Sequence, residues 1–135
     1  MKAISIKQPW ASLIIEGIKD IENRNWFTYH RGILYIHTGK GFDLQGAKLV
    51  SELYPEYKKI IEQSKRIRGG IIGHVHITDC VTIHKSCWFH GEYGFVLKSP
   101  KKIDFHEMKG QLGIFNFEFK RSETNQRKET QLSLF

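Results

Sequence analysis

The amino-acid sequence predicts an α+β fold, a small mixed β-barrel with flanking helices. Three observations carry that expectation. Extended and helical patterns follow one another in the order β-α-β-β-α-α-β-β-β, a mixture in which helices interrupt a sheet. The last extended segment alternates Phe115, Phe117 and Phe119 with Ile114, Asn116 and Glu118, as expected when one face of a strand closes a core. With 135 residues and 40% hydrophobic content, the chain can bury one core without metals or disulfides, so a single domain over residues 1–119 is expected, followed by a tail over 120–135.

Ala3 to Lys7 reads as a short strand. Pro9 pre-sets the first turn of a helix whose apolar face is Trp10, Leu13 and Ile14, and Gly17 ends it. The chain then turns through Lys19 into a second strand over residues 21–26. The period of two puts Glu22, Arg24 and Trp26 on one side and Ile21, Asn23 and Asn25 on the other, with Lys19 at the lip of a solvent-reached cleft. Ile33 to His37 alternates as a third strand. Asp43 can cap a helix whose apolar side carries Leu44, Ala47, Val50, Leu53 and Tyr54, and Pro55 breaks it ahead of a second, basic helix near Tyr57 to Gln63. Ile71 to Ile83 is too long for one flat strand and is expected to bend at Gly73 or near Asp79. Tyr93 to Leu97 and Leu112 to Phe119 supply the last two strands.

Lys19, Glu22, Arg24 and Trp26 place a cation, a carboxylate, a guanidinium and an indole around one small space. A structural salt bridge is one reading. Exposed ion pairs are worth too little to account for so compact a cluster, which favours a ligand site. The block Gly17-Ile-Lys-Asp-Ile-Glu22-Asn-Arg24 resembles the G-x-K-x-x-[E/T]-x-R signature of ASCH domains, which are PUA-like β-barrels. Gly32–His37 resembles the third strand of that family, Gly70–Val81 its central strand, and Gly94–Leu97 with Gly110–Phe115 its closing strands, so about the first 119 residues are covered.

The resemblance implies a cleft lined by the signature residues, in a class of barrels associated with RNA, DNA or single modified bases. In a binding module, Arg24 and Lys19 would hold phosphate or base acceptors and Glu22 would accept from an exocyclic amine. Trp26 or Trp88 would stack on an unpaired or flipped base. In an enzyme, the site would resemble small ASCH amidohydrolases that remove an acyl group from the exocyclic nitrogen of cytidine, with catalytic Lys19 activating water and Glu22 passing a proton to the leaving amine. Those short enzymes have Thr where this chain has Glu22, and no second acid aligns with theirs, Glu92 being a candidate. Cleavage of single-stranded nucleic acid is a further alternative, but no carboxylate cluster suited to two metal ions is visible and no cofactor is expected.

Charge points to an anionic partner: 21 Lys and Arg face 14 Asp and Glu, for a formal +7. The densest patch is Lys58, Lys59, Lys65, Arg66 and Arg68 set against Glu62 alone, which reads either as a phosphate-contacting surface for RNA or single-stranded DNA or as a solvated helix face. His74 and His76 share one strand face, with His37 a possible neighbour. Without a fixed third ligand, hydrogen-bonded histidines are favoured over a metal site. Trp88, in the loop from His84 to Tyr93, either stacks on a base or packs against the barrel. Cys80 and Cys87 lack a C-x-x-C partner and read as reduced thiols. With no leader pattern and no membrane-spanning run, a soluble cytoplasmic protein without a membrane partner is expected.

Beyond Phe119 the sequence has no hydrophobic period and is expected to be disordered. It ends in Gln131-Leu132-Ser133-Leu134-Phe135, which resembles the Q-L-[S/D]-L-F peptide by which bacterial replication and repair proteins dock on the β sliding clamp. The resemblance implies a bacterial, plasmid or phage protein working near DNA, with Gln131, Leu132, Leu134 and Phe135 as the docking residues. An accidental apolar tail, or a strand returning to the barrel, is the alternative.

Overall fold

The computed structural model describes residues 1–120. Its strands are β1 (Lys2–Gln8), β2 (Ile21–Arg24), β3 (Gly32–Phe42), β4 (Gly70–Val81), β5 (Tyr93–Glu107) and β6 (Ile114–Asn116). Its helices are α1 (Trp10–Ile15), α2 (Leu44–Leu53) and α3 (Lys58–Ser64), with a 3-10 turn at Pro55–Tyr57 between the last two. The order along the chain is the expected one. All six strands form one sheet in the order β2-β5-β4-β3-β1-β6, in which β1 and β3 run parallel and every other neighbour is antiparallel.

The sheet is open, which corrects the expected closed barrel. Closure would require the edge strands β2 and β6 to pair, and among the described residues no ladder joins them; β6 covers β1 only at Lys2, Ala3 and Ile4. A side chain spans the remaining gap: Arg24 Nη2, on β2, donates to the Ser5 carbonyl on β1 at 2.9 Å. The sheet therefore curls far enough for its ends to be joined by one guanidinium.

Three apolar clusters hold the layers together. Ile4, Ile36, Leu34, Val75, Ile77 and Phe95 form the centre of the main one, under α1. Leu13, Ala47, Val50 and Ile61 fix α2 and α3 onto α1. Ala3, Ile71 and Phe115 pack on the opposite sheet face. At the start of α2 the Asp43 carboxylate accepts from the Gly46 amide at 2.9 Å, so the helix has its side-chain cap. Its buried stripe is narrower than the apolar pattern suggests: Ala47 and Val50 are buried, while Leu44 and Leu53 are 68% and 62% exposed, because α2 touches the body along one line only.

Two strands differ from their sequence expectation. β5 continues ten residues past Leu97, and the exposed Lys98-Ser-Pro-Lys-Lys102 stretch within it has no apolar alternation to announce a strand. β6 is only three residues long; Leu112 is 98% exposed, and Phe117 and Phe119 pack against the third cluster from outside the ladder. β4 bends by register shifts against β5 at three places, Ile71/Gly73, His74/His76 and Ile77/Asp79.

Candidate functional site

After α1 the chain reverses tightly, with the amides of Ile18 and Lys19 both donating to the Leu13 carbonyl at 3.0 Å. This reversal sends the Lys19 side chain back into the protein. Its ammonium donates to the Ile21 carbonyl and lies 3.8 Å from Glu22 Oε1. Lys19 is 6% exposed and Glu22 8%, so Lys19 stands in the floor of the site and not at its lip. Burial pushes the Lys19 pKa below the ordinary lysine value, the Glu22 carboxylate opposes that, and the Arg24 guanidinium adds to it. Glu22 Oε1 also accepts from the Asn23 amide at 3.1 Å, while Oε2 faces Arg24 Nη2 at 3.5 Å.

Asn23, one residue on, points the other way along the strand and secures the loop above. Its Nδ2 donates to the Trp88 carbonyl at 2.9 Å and its Oδ1 accepts from the His90 amide at 2.9 Å. The half-buried Trp88 ring leans on Tyr54 at 6.2 Å between centroids. Across from this loop, Trp10 Nε1 donates to Asp43 Oδ2 at 3.2 Å, while the other Asp43 oxygen caps α2. A Cβ on Gly46 would meet the Trp10 ring at 2.4 Å, so a glycine there is what admits the indole.

These groups enclose a cavity of about 320 Å³. Trp10 and Trp88 line it together with Lys19, Glu22 and Asp43, and Cys87 and His90 are part of its wall. Chemically it offers two carboxylates as hydrogen-bond acceptors, a buried amine and two indole surfaces. The volume is at the small end of ligand sites, suited to one ring-sized group.

Of the residues singled out in the sequence, Lys19, Glu22 and Trp88 meet in this cavity. Arg24 lies beyond Glu22 and lines a different groove. Trp26 does not line the cavity either: partly buried, it packs edge-on against Phe95 at 5.2 Å beside the main core. Glu92 is exposed and outside the lining. The second carboxylate is Asp43, legible in the sequence as a helix cap but with no spacing that ties it to Lys19. Trp10 carried a signal only as an apolar helix residue. Cys87 and His90 carried none as lining residues.

The five basic residues do not gather on one surface. Lys58 and Lys59 are exposed at the start of α3. Lys65 pairs with Glu62 at 3.1 Å and lies 5.9 Å from the Phe42 ring, over which the Arg68 guanidinium also sits at 5.2 Å. Arg66 instead lines a separate cavity of about 410 Å³, among Ile15, Ile72, Lys102 and Phe105. The three histidines do not converge. His74 packs edge-on against Tyr35, while His37 pairs with Ile71 across the strands, its Nε2 donating to the Met108 carbonyl at 2.7 Å and its Nδ1 facing Ser5 Oγ at 2.9 Å. Among the described residues no three His, Cys, Asp or Glu side chains are grouped to hold a metal ion, and no helix is long and apolar enough to cross a membrane. Gln131, Leu132, Leu134 and Phe135 lie outside the described residues.

Comparison with known proteins places this geometry in a family. The fold is similar to the crystal structure of ASCH from Zymomonas mobilis, with a TM-score of 0.52 over 96% of this chain and 93% of that one at 12% identity. A mutant of the same protein gives a TM-score of 0.51 over 96% and 94%. At that identity the likeness is one of fold. In sequence, 85 residues are 41% identical to mouse Activating signal cointegrator 1 and 40% identical to the human protein, covering 58% of this chain and 14% of either relative's length. The ASCH domain pattern matches residues 4–128, nearly the whole length, and the chain therefore belongs to the ASCH domain family.

Proposed function

We propose that this chain binds single-stranded nucleic acid by taking one unpaired base into the Lys19 cavity. The observation that carries this reading is the pairing of two indoles, Trp10 and Trp88, with two carboxylates, Glu22 and Asp43, around a space for a single ring. Every base has a π-face for an indole, and an exocyclic amine donates to carboxylates, so cytosine, adenine and guanine fit better than uracil or thymine. Lys19 keeps the Glu22 carboxylate aimed inward. The positive balance of the chain attracts the strand from a distance. Trp88→Ala is expected to weaken binding of a labelled single-stranded 12-mer by about 1–3 kcal/mol, read by fluorescence anisotropy on protein that remains folded at the assay temperature. Unchanged affinity would place the base elsewhere.

A second reading is favoured by one observation, the lowered pKa of a buried Lys19 beside a carboxylate, with Asp43 as a further acid. It is hydrolysis of N4-acylated cytidine, with Lys19 activating water and Glu22 protonating the departing amine. Incubation with N4-acetylcytidine decides: release of cytidine that disappears in Lys19→Ala supports the enzyme, and its absence leaves a binding module.

The terminal Gln131–Phe135 peptide supports recruitment to a bacterial β sliding clamp. Burial of Leu132, Leu134 and Phe135, at about 1.5–3 kcal/mol each, offset by about 2–5 kcal/mol for ordering the peptide, leaves a weak affinity, no tighter than roughly ten micromolar. Deleting these five residues from an N-terminally tagged chain is expected to abolish capture of the clamp while leaving oligonucleotide binding intact. Clamp capture by the truncated chain would refute the tether.

A further inference from the structure

We infer that the groove on the far side of Glu22 is a track for the phosphodiester backbone of the same strand, so that the ligand is a polymer and not a free nucleoside. This rests on the base-binding reading above. The groove holds about 940 Å³, nearly three times the base cavity, and three cations line it: Arg24, Lys40 and Lys109, against one carboxylate, Glu107. Its wall also includes Gly39, Gly69 and Gly110, which place no side chain of their own in the groove. Lys40 and Lys109 are exposed and make no ion pair among the described residues. Arg24 lies 6.0 Å from the Trp26 ring and hydrogen-bonds through Nη2 alone, to Ser5 and Glu22, so its Nε and Nη1 have no hydrogen-bond acceptor among the described residues.

The track continues at its rim. Arg68 Nη1 donates to the Lys40 carbonyl at 3.1 Å, which holds one further cation beside the groove. At its other end the groove meets the base cavity through a single side chain. Glu22 turns Oε1 toward Lys19 in the cavity and Oε2 toward Arg24 in the groove. A strand whose base sits between the indoles must carry its sugar-phosphate chain out past this point. The cations along the groove match what a polyanionic backbone requires, whereas a nucleoside has nothing to place there.

The test uses the whole chain, two probes and two variants. The probes are a fluorescein-labelled 12-mer, as RNA and as DNA, and free cytidine. In Lys40→Gln/Lys109→Gln, affinity for both 12-mers is expected to fall roughly tenfold at about 0.1 M salt, and the slope of log K against log salt to flatten by about 1.4, from about 0.7 per lost phosphate contact. Cytidine binding is expected to stay at the wild-type level. Unchanged 12-mer affinity and slope in this variant would overturn the track, and loss of 12-mer binding by Trp88→Ala with the slope retained would then leave the base cavity standing alone. The reverse pattern, a flattened slope in the lysine variant with Trp88→Ala silent on both probes, would sink the base cavity and keep the track. Failure of the wild-type chain to bind either 12-mer would overturn both.

Discussion

Replacing Glu22 by alanine is expected to destabilise the protein by about 3 kcal/mol near neutral pH, and by less as the pH rises. The carboxylate sits between two cations, 3.8 Å from Lys19 and 3.5 Å from Arg24, and Lys19 is almost wholly buried. Removing one partner of a buried pair leaves a charge uncompensated, which typically costs about 3–5 kcal/mol. Lys19 has an escape, since burial already holds its pKa below the ordinary value and Glu22 is the largest influence raising it. Without Glu22 the amine sheds its proton more readily, which caps the loss near the lower figure. The direction with pH follows from proton counting. Across the window between the lowered folded pKa and the ordinary lysine value, the unfolded chain binds more protons, so stability rises with pH there. The variant's folded pKa lies lower still, so its deficit is full below that pKa and vanishes as pH rises through the wild-type one. Urea denaturation from neutral to alkaline pH measures this. A deficit independent of pH, or one that persists unchanged in a Lys19→Met background, would show that Glu22 acts through packing and not through the Lys19 charge.

Gly73→Ala is expected to cost roughly 3 kcal/mol or more, the upper end of what overpacking a close-packed site does. A Cβ at this position would stand 2.3 Å from the Lys101 carbonyl oxygen and 2.9 Å from Ile15 Cδ1. The first obstacle is backbone of the neighbouring strand, which cannot turn aside as a side chain would. Relief requires β4 and β5 to part where their register already shifts, between Ile71 and Gly73. Because β5 carries β2 on its other edge, the disturbance reaches the strand that presents Glu22 and Arg24. The unfolding midpoint in urea reads the effect, and a loss under about 1 kcal/mol would mean that the two strands separate freely at this point.

The element order was legible because each element announces itself locally. Pro9 and Gly17 bracket α1, Asp43 caps α2, Pro55 separates it from α3, and alternation marks β1, β3 and β4. The site was legible in part for the same reason: Lys19, Glu22 and Arg24 are close in sequence, so a turn and a four-residue strand suffice to bring them together. Trp26 followed the same alternation on paper, but the strand ends at Arg24 and the partly buried indole packs against Phe95, outside the cavity lining. The far half of β5 was hidden because exposed lysines flank it and leave no apolar period.

By itself, then, the sequence determined what short-range physics controls: caps, turns, strand alternation, the sign of the net charge and a local cluster of ions. Tertiary structure alone decided whether the sheet closes, since its edge strands β2 and β6 do not pair and Arg24 bridges β2 to β1. It alone brought Asp43 and Trp10 to the cavity where Lys19 and Glu22 wait, and it set Arg24 and Lys19 on opposite sides of one carboxylate. The reason is physical: residues distant in the chain meet only through packing of whole elements, and no periodicity within a segment records where its neighbours in space will come from.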